Sequence, residues 1–300
     1  MKKAVLVYNP IAGAGDFPEY LDDFLGEFQD DYRIIVHRTK ETPDGSLQRL
    51  LCQIAAEQAS GNIIMVAGGD GTLNRVVNIM MNQEIDLPLG IIPAGTVNDF
   101  ASYLNMPDDY RQCFELIARG KKQSVDVGLV NDRYFINVCV GGVLAEIPHD
   151  TETVLKNKLG KLAYYLRGIK EVSSFESMKA RIVTGDEEIE QEIFLFLILN
   201  TTRSGGFKNL SPEGKIDDGL FELILVKAGP MYKVLNLAVE LFQNKHLDNE
   251  DVYCTKGDRF QIEVIQQSSG NHFTDIDGQK GPSFPLEVKV IPQGLTVFRG

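Results

Sequence analysis

Apolar and polar positions alternate in two different ways along the 300 residues, and the pattern changes near Ser124. Before that point, short apolar runs at 4–8, 33–37, 62–67 and 89–92 alternate with helical spacing over 18–29 and 47–59 and with stretches starting at Thr72, Thr96 and Tyr110. Such alternation predicts a mostly parallel sheet covered by helices. Beyond it, strand-like segments follow one another at 125–130, 134–140, 178–183, 192–199, 221–226, 259–265 and 286–291, broken by helical spacing at 155–173 and 232–242. That order predicts antiparallel pairing. The expectation is therefore an α/β domain over 1–124 and a β-rich, sandwich-like domain over 125–300, with a strand at 295–298 that could return to the first domain. No Pro/Ser-rich linker, low-complexity tract or internal repeat separates them, so the two should close around a cleft.

Three of the early strands end in turns of small residues. The stretch 62–67 runs into Gly68, Gly69, Asp70, Gly71 and Thr72, and then into a helix. Adjacent glycines let the backbone approach an anion, and a helix N-terminus offers N–H groups to negative charge, so this is a phosphate cradle. Asp70 would repel phosphate directly, and it is expected to order the loop or to act through a cation or water. The strand at 4–8 enters NPIAGAG (9–15), and the strand at 89–92 enters PAGTVNDFA (93–101), which carries Thr96 and Asn98. Three such turns on one parallel sheet point at one crevice. Two Asp-Gly turns lie downstream, KIDDGL (215–220) and DIDGQ (275–279). The first can hold a hard cation through carboxylate and carbonyl oxygens, and the second offers Asp277 as a carboxylate able to accept a hydroxyl proton. A plain Asp-Gly hairpin turn is the alternative for each.

Composition narrows the partners. An apolar content of 43% with 24% charged residues is ordinary for a globular chain, and a net charge of −12 without a Lys/Arg tract excludes a nucleic-acid footprint. The longest apolar run, IFLFLIL (193–199), is far shorter than the roughly 20 residues needed to span a bilayer. A cytoplasmic protein with peripheral membrane association is expected, the contact falling on Lys156, Lys158, Lys161, Arg167 and Lys170 around Leu155, Leu159, Leu162, Tyr165, Leu166 and Ile169. Cys52, Cys113, Cys139 and Cys254 lack zinc-site spacing and read as buried free thiols.

NP-x-AG-x-G, GGDGTLN and P-x-GT-x-NDFA stand here in one order with LGKLAYYLRGIK (159–170), SPEGKIDDGLFELILVK (211–227) and DIDGQ. Over nearly its whole length the chain resembles the bacterial soluble lipid kinases with a diacylglycerol kinase catalytic domain, relatives of the sphingosine kinases. The resemblance implies ATP held by Asn9, Thr39, Gly68, Gly69, Asp70, Gly71, Thr72, Thr96, Asn98 and Asp99. It implies Mg²⁺ on Asp218 and the backbone oxygens of Lys215 and Leu220, and Asp277 as base for a lipid hydroxyl at the membrane surface. Diacylglycerol to phosphatidic acid is the leading reaction, and a homodimer stays open. Three positions depart from the family pattern: Arg75 stands for an acid, Ser102 for an arginine, and Gln279 for the glutamate of DGE. They leave open a kinase of another lipid alcohol or of NAD, or a nucleotide-binding regulator without turnover. The side-chain shape at Asp277 is expected to survive replacement by asparagine.

Overall fold

A computed structural model of the chain describes residues 2–40, 44–57, 60–142, 177–267 and 274–300. The basic amphipathic segment expected over 155–170 lies outside the described residues.

The first half runs β1 (Lys2–Tyr8), α1 (Leu21–Phe28), β2 (Tyr32–Arg38), α2 (Ser46–Ala56), β3 (Ile63–Gly68), α3 (Asp70–Asn82), β4 (Leu89–Pro93), α4 (Asp99–Tyr103) and α5 (Tyr110–Arg119). The four strands pair in parallel in the order β2-β1-β3-β4. All residues of β3 and β4 are buried, which is why their sequences read as unbroken apolar runs rather than as alternation. At the edge, β2 alternates half-buried with exposed positions. Phe24 and Phe28 of α1 and Phe114 of α5 meet on one side of the sheet, Phe24 and Phe114 edge to face at 5.4 Å between centroids.

The second half contains β5 (Lys122–Val130), β6 (Arg133–Phe135), β7 (Val138–Gly142), β8 (Met178–Thr184), β9 (Glu187–Leu199), β10 (Arg203–Ser204) and β11 (Phe207–Lys208). It continues with β12 (Phe221–Lys227), α6 (Met231–Phe242), β13 (Val252–Gly257), β14 (Arg259–Gln267), β15 (Thr274–Ile276), β16 (Gln279–Lys280) and β17 (Leu286–Phe298). Within this half every strand pairing is antiparallel. Its own core gathers Phe135, Phe196, Phe221, Phe260 and the aliphatic faces of β8, β12 and β14.

The segments 286–291 and 295–298 form one strand rather than two. β17 pairs with β14 through Leu286–Lys289, with β5 along nearly all its length, and in parallel with β4 at Val297↔Leu89. An irregularity between Ile291 and Leu295, where Gln293 takes φ +53°, lets it pass from one half to the other. Both halves thereby belong to one fifteen-stranded mixed sheet.

Other boundaries differ for local reasons. α3 begins at Asp70 instead of Thr72, because Gly69 is the last extended residue. The helix expected from Thr96 begins at Asp99, after Asn98 takes a left-handed conformation with φ +52°. The run 134–140 is two strands, broken at Ile136 and Asn137. Of the four free thiols, Cys113 and Cys139 are buried, but Cys52 is half-buried and Cys254 exposed, since β13 carries Cys254 on its outward face.

Candidate active site

Because β1, β3 and β4 run parallel, the turns that follow them emerge on one edge of the sheet. Backbone bonds lace that edge together: Thr39 N–H donates to Tyr8 O at 2.8 Å, Asn9 N–H to Ala67 O at 2.9 Å, and Ala94 N–H to Gly68 O at 3.0 Å. The phosphate-type turn and the third turn then touch backbone to backbone. A methyl group on Gly95 would lie 2.3 Å from the Cα of Gly69, so only glycine fits. The first turn closes in from the other side, where a methyl group on Gly13 would lie 2.5 Å from Ala94 O. Asn9 folds onto its own turn by accepting from Ile11 N–H, and its Nδ2 donates to Thr72 Oγ1 at 3.3 Å. Asn98 braces the third turn, accepting from Gly95 N–H at 3.0 Å and donating to Gly95 O at 2.7 Å. Thr96 stands exposed at the rim. The structure thus gathers Asn9, Thr39, Gly68 to Thr72, Thr96 and Asn98 at one strand-end edge around α3.

Two carboxylates form the floor. Asp70 accepts the backbone N–H groups of Asn98, Asp99 and Phe100, so the acid of one turn caps the helix opened by another. Burial still raises its pKa. Asp99 is buried, and its carboxylate meets Gly206 N–H at 3.2 and 3.3 Å from the β10–β11 hairpin of the second half. Burial, then the charge of Asp70, pushes the Asp99 carboxyl up to about 6. Two acids that repel each other beside a cluster of backbone N–H groups suit a divalent cation that keeps part of its water. Among the described residues no three His, Cys, Asp or Glu side chains converge, so protein oxygens alone do not complete such a shell.

Asp277 occupies the junction of the two halves. Asp277 and Gly278 both have positive φ, +50° and +78°, between the paired Ile276 and Gln279, the geometry of a tight I′ hairpin. The side chain turns inward, only 4% exposed. One carboxylate oxygen accepts from Asn74 Nδ2 and Ile136 N–H, both at 2.8 Å; the other accepts from Asn137 N–H at 3.0 Å and Val138 N–H at 2.9 Å. This explains the gap between β6 and β7, whose N–H groups serve the carboxylate in place of a ladder. Burial raises the group to about 6 against these donors, which pull it down. The expectation that asparagine preserves this geometry is overturned. An amide N–H₂ would face N–H donors at one of the two oxygens.

Asn74 was not singled out from the sequence, yet it joins the phosphate-type turn to Asp277. It starts a ladder on α3: Asn74 and Asn78 both donate to Tyr134 O, Asn78 Oδ1 accepts Tyr134 N–H, and Asn82 donates to Asn78 O. The signal was a polar stripe at i, i+4, i+8 in LNRVVNIMMN.

The KIDDGL turn lies elsewhere on the second half. Asp218 is exposed and accepts Leu220 N–H at 3.2 Å, while Gly219 N–H donates to the fully buried Asp126 at 2.7 Å. Asp126 also accepts Gln293 N–H at 2.8 Å, tying this turn to the irregularity in β17. Near it, Glu222 is buried; one oxygen meets Lys256 at 3.1 Å, and the other has no hydrogen-bond partner. The charge of Asp218 adds to burial in raising Glu222. A cation held at the turn by Asp218 and the carbonyl oxygens of Lys215 and Leu220 would offset the repulsion between Asp218 and Glu222. They do not join the strand-end cluster.

The diacylglycerol kinase catalytic domain model matches residues 3–130, and the YegS C-terminal NAD kinase beta sandwich-like domain model matches 137–299. A Bacillus subtilis (strain 168) protein named diacylglycerol kinase is 33% identical over 292 residues, covering 96% of this chain and 93% of its own. The chain belongs to the diacylglycerol kinase family. A diacylglycerol kinase of Staphylococcus epidermidis (strain ATCC 12228 / FDA PCI 1200) is 31% identical, covering 99% of this chain and 92% of its own. A crystal structure of a diacylglycerol kinase from Bacillus anthracis str. Sterne superimposes with TM-score 0.78 at 26% identity, covering 100% of this chain and 97% of that one.

The positions that depart from the diacylglycerol kinase pattern fall close to the edge just described. Gln279 reaches over the start of α3, its Nε2 within 2.5 Å of where a methyl group on Gly71 would sit. Arg75, one helical turn on, donates to Lys40 O at 3.3 Å beside Thr39. Ser102 lies three residues beyond Asp99 on the short α4.

Proposed function

We propose that this lipid kinase transfers the γ-phosphoryl group of ATP to the hydroxyl of a diacylglycerol, giving phosphatidic acid. The observation that carries the reading is the backbone contact of Gly69 with Gly95 beside the Asp70 and Asp99 carboxylates, with Gly206 N–H of the second half on Asp99 and Asp277 tied through Asn74 to the same helix α3 that Asp70 opens. Donor-side and acceptor-side groups are therefore linked through one helix, an arrangement that suits in-line transfer. Asn9, Thr39, Thr72, Thr96 and Asn98 border the phosphates with the glycines of the first turn of α3. Asp70 and Asp99 would hold Mg²⁺ at the phosphates, and Asp218 with the backbone oxygens of Lys215 and Leu220 a second, structural ion. When bound, the cation supplies charge neutralisation at the transferring group. The lipid oxygen bonds to phosphorus, the bridging oxygen leaves on ADP with its electron pair, and Asp277 receives the hydroxyl proton.

Among the described residues no helix is long and apolar enough to cross a membrane. Peripheral contact would bring the site to its lipid. Incubation with labelled ATP and an extracted lipid pool, with NAD and protein alone as controls, is expected to label one phosphorylated lipid comigrating with phosphatidic acid. Label on NAD, or on another lipid alcohol alone, would change the acceptor; no transfer under any condition would remove the kinase reading.

A second role for Asp277 is supported by its four donors, which use both lone-pair directions of each oxygen. Acting as a tie, it would assemble the 136–138 turn against Asn74, with the proton leaving by another route. The two roles separate by the pH profile of turnover.

A further inference from the structure

We propose that Arg203 contacts the transferred phosphoryl group from the acceptor side and holds the phosphomonoester product, an inference that rests on the lipid-kinase reading. Arg203 opens the β10–β11 hairpin, whose Gly206 N–H meets Asp99. Its backbone is pinned close to Asp277: Arg203 O accepts from Asn137 Nδ2 at 3.1 Å and Thr201 Oγ1 at 3.0 Å, while Asn137 N–H donates to Asp277. Arg203 thus stands between the residue that faces the nucleotide side and the residue that faces the acceptor hydroxyl. It is half-buried, and its positive charge acts on Asp99. Among the described residues its guanidinium forms no ion pair or side-chain hydrogen bond, so its N–H donors have no direct side-chain partner there.

A half-buried guanidinium beside the Asp99 carboxylate and the Gly206 N–H suits a multiply charged phosphate, two of whose oxygens it can grip with two N–H groups at once. The stretch also answers a local question. Asp99 faces the hairpin, and position 102, three residues later on α4, lies on the same helical face. There the family pattern places an arginine and this chain has Ser102. The short serine leaves the facing hairpin to supply the cation, and β10, which Arg203 opens, packs against α4.

The test uses the full-length protein with Arg203→Gln and Arg203→Lys, assayed on diacylglycerol in detergent micelles. The Gln variant is expected to lose roughly 100-fold in kcat, the scale of one donor removed from a developing charge, with KM for ATP changed less than about threefold. The Lys variant should recover part of the loss, since it keeps the charge and loses the fork. A second arm needs no turnover: binding of micelles containing phosphatidate should weaken at least about tenfold in Arg203→Gln, whereas micelles of diacylglycerol alone bind as in the parent. Equal phosphatidate binding by parent and Arg203→Gln overturns the inference, whatever the activity. An inactive parent whose phosphatidate binding still depends on Arg203 would sink the kinase reading and leave the anion site standing. Melting temperatures within about 2 °C of the parent separate a lost contact from a lost fold.

Discussion

Asp277 shows how one carboxylate can be legible in type and hidden in direction. The Asp-Gly pair announces a tight turn, and an acid in a kinase-like chain announces a base, so both readings were available from five letters. What the letters do not carry is that four N–H groups from Asn74 and 136–138 converge on it, because three of them come from a backbone some 140 residues away. Asp277→Asn is expected to cut turnover by at least about 100-fold. If Asp277 is the base, the parent's kcat/KM should rise with pH around an apparent value near 6, and the variant should lose that limb. A tie alone predicts residual activity that keeps the parent's pH profile; a fall in melting temperature is expected for either role, because the amide N–H₂ faces N–H donors. Gln279, over the first turn of α3, makes Gln279→Glu a gentler change: turnover should hold or rise, measured on the same lipid. Asp99 gives a stability test. Its carboxyl is raised to about 6 in the folded protein, so between about pH 4 and 6 the native state holds a proton that the unfolded chain releases, and stability falls as pH rises. In metal-free buffer, Asp99→Asn should therefore melt on the order of 2–4 °C above the parent at pH 7.5 and converge with it below pH 4.

At the scale of elements, the three strand-end turns and the helices behind them were readable because local sequence determines them: glycines where backbones touch, apolar runs where both sheet faces are covered. The break between β6 and β7 was not readable, since VCV and RYF have ordinary strand character and only the distant Asp277 turns their junction aside. Asp126 escaped for the same reason. Its place in a strand-like run says buried, and only the folded turn at Gly219 and the irregular Gln293 say why an acid is tolerated there. The asparagine ladder of α3 was visible as spacing, but not as the face that docks onto β6. Asn78→Ala removes both halves of its exchange with Tyr134 and should cost about 1–3 kcal/mol, read from urea unfolding. Gly95→Ala acts on the site itself: its new methyl group would meet the Cα of Gly69, and the two turns must part. ATP affinity by calorimetry should fall at least about tenfold, with a stability loss on the order of 1–3 kcal/mol. Unchanged affinity would mean that the contact between these glycines does not shape the nucleotide site.

For the whole molecule, the change of pattern near residue 124 anticipated two architectures and gave no sign of how firmly they are joined. Thirteen residues of β17 run from the sandwich-like core to the parallel sheet, and β5 accompanies them in the opposite direction. Val297 is fully buried where β17 meets β4 and β5, and Val297→Asp should lower the melting temperature by several degrees, with both halves losing protection from hydrogen exchange together. Separate loss in one half alone would contradict that. A pair of long strands crossing the junction resists bending far more than a single connecting peptide would, so β5 and β17 do not act as a hinge in this enzyme. Motion at the site is then expected from short pieces beside it, such as the hairpin carrying Gly205 and Gly206, while the frame keeps its shape. Its turnover should then be sensitive to stiffness in those few residues and indifferent to the size of the rigid body behind them.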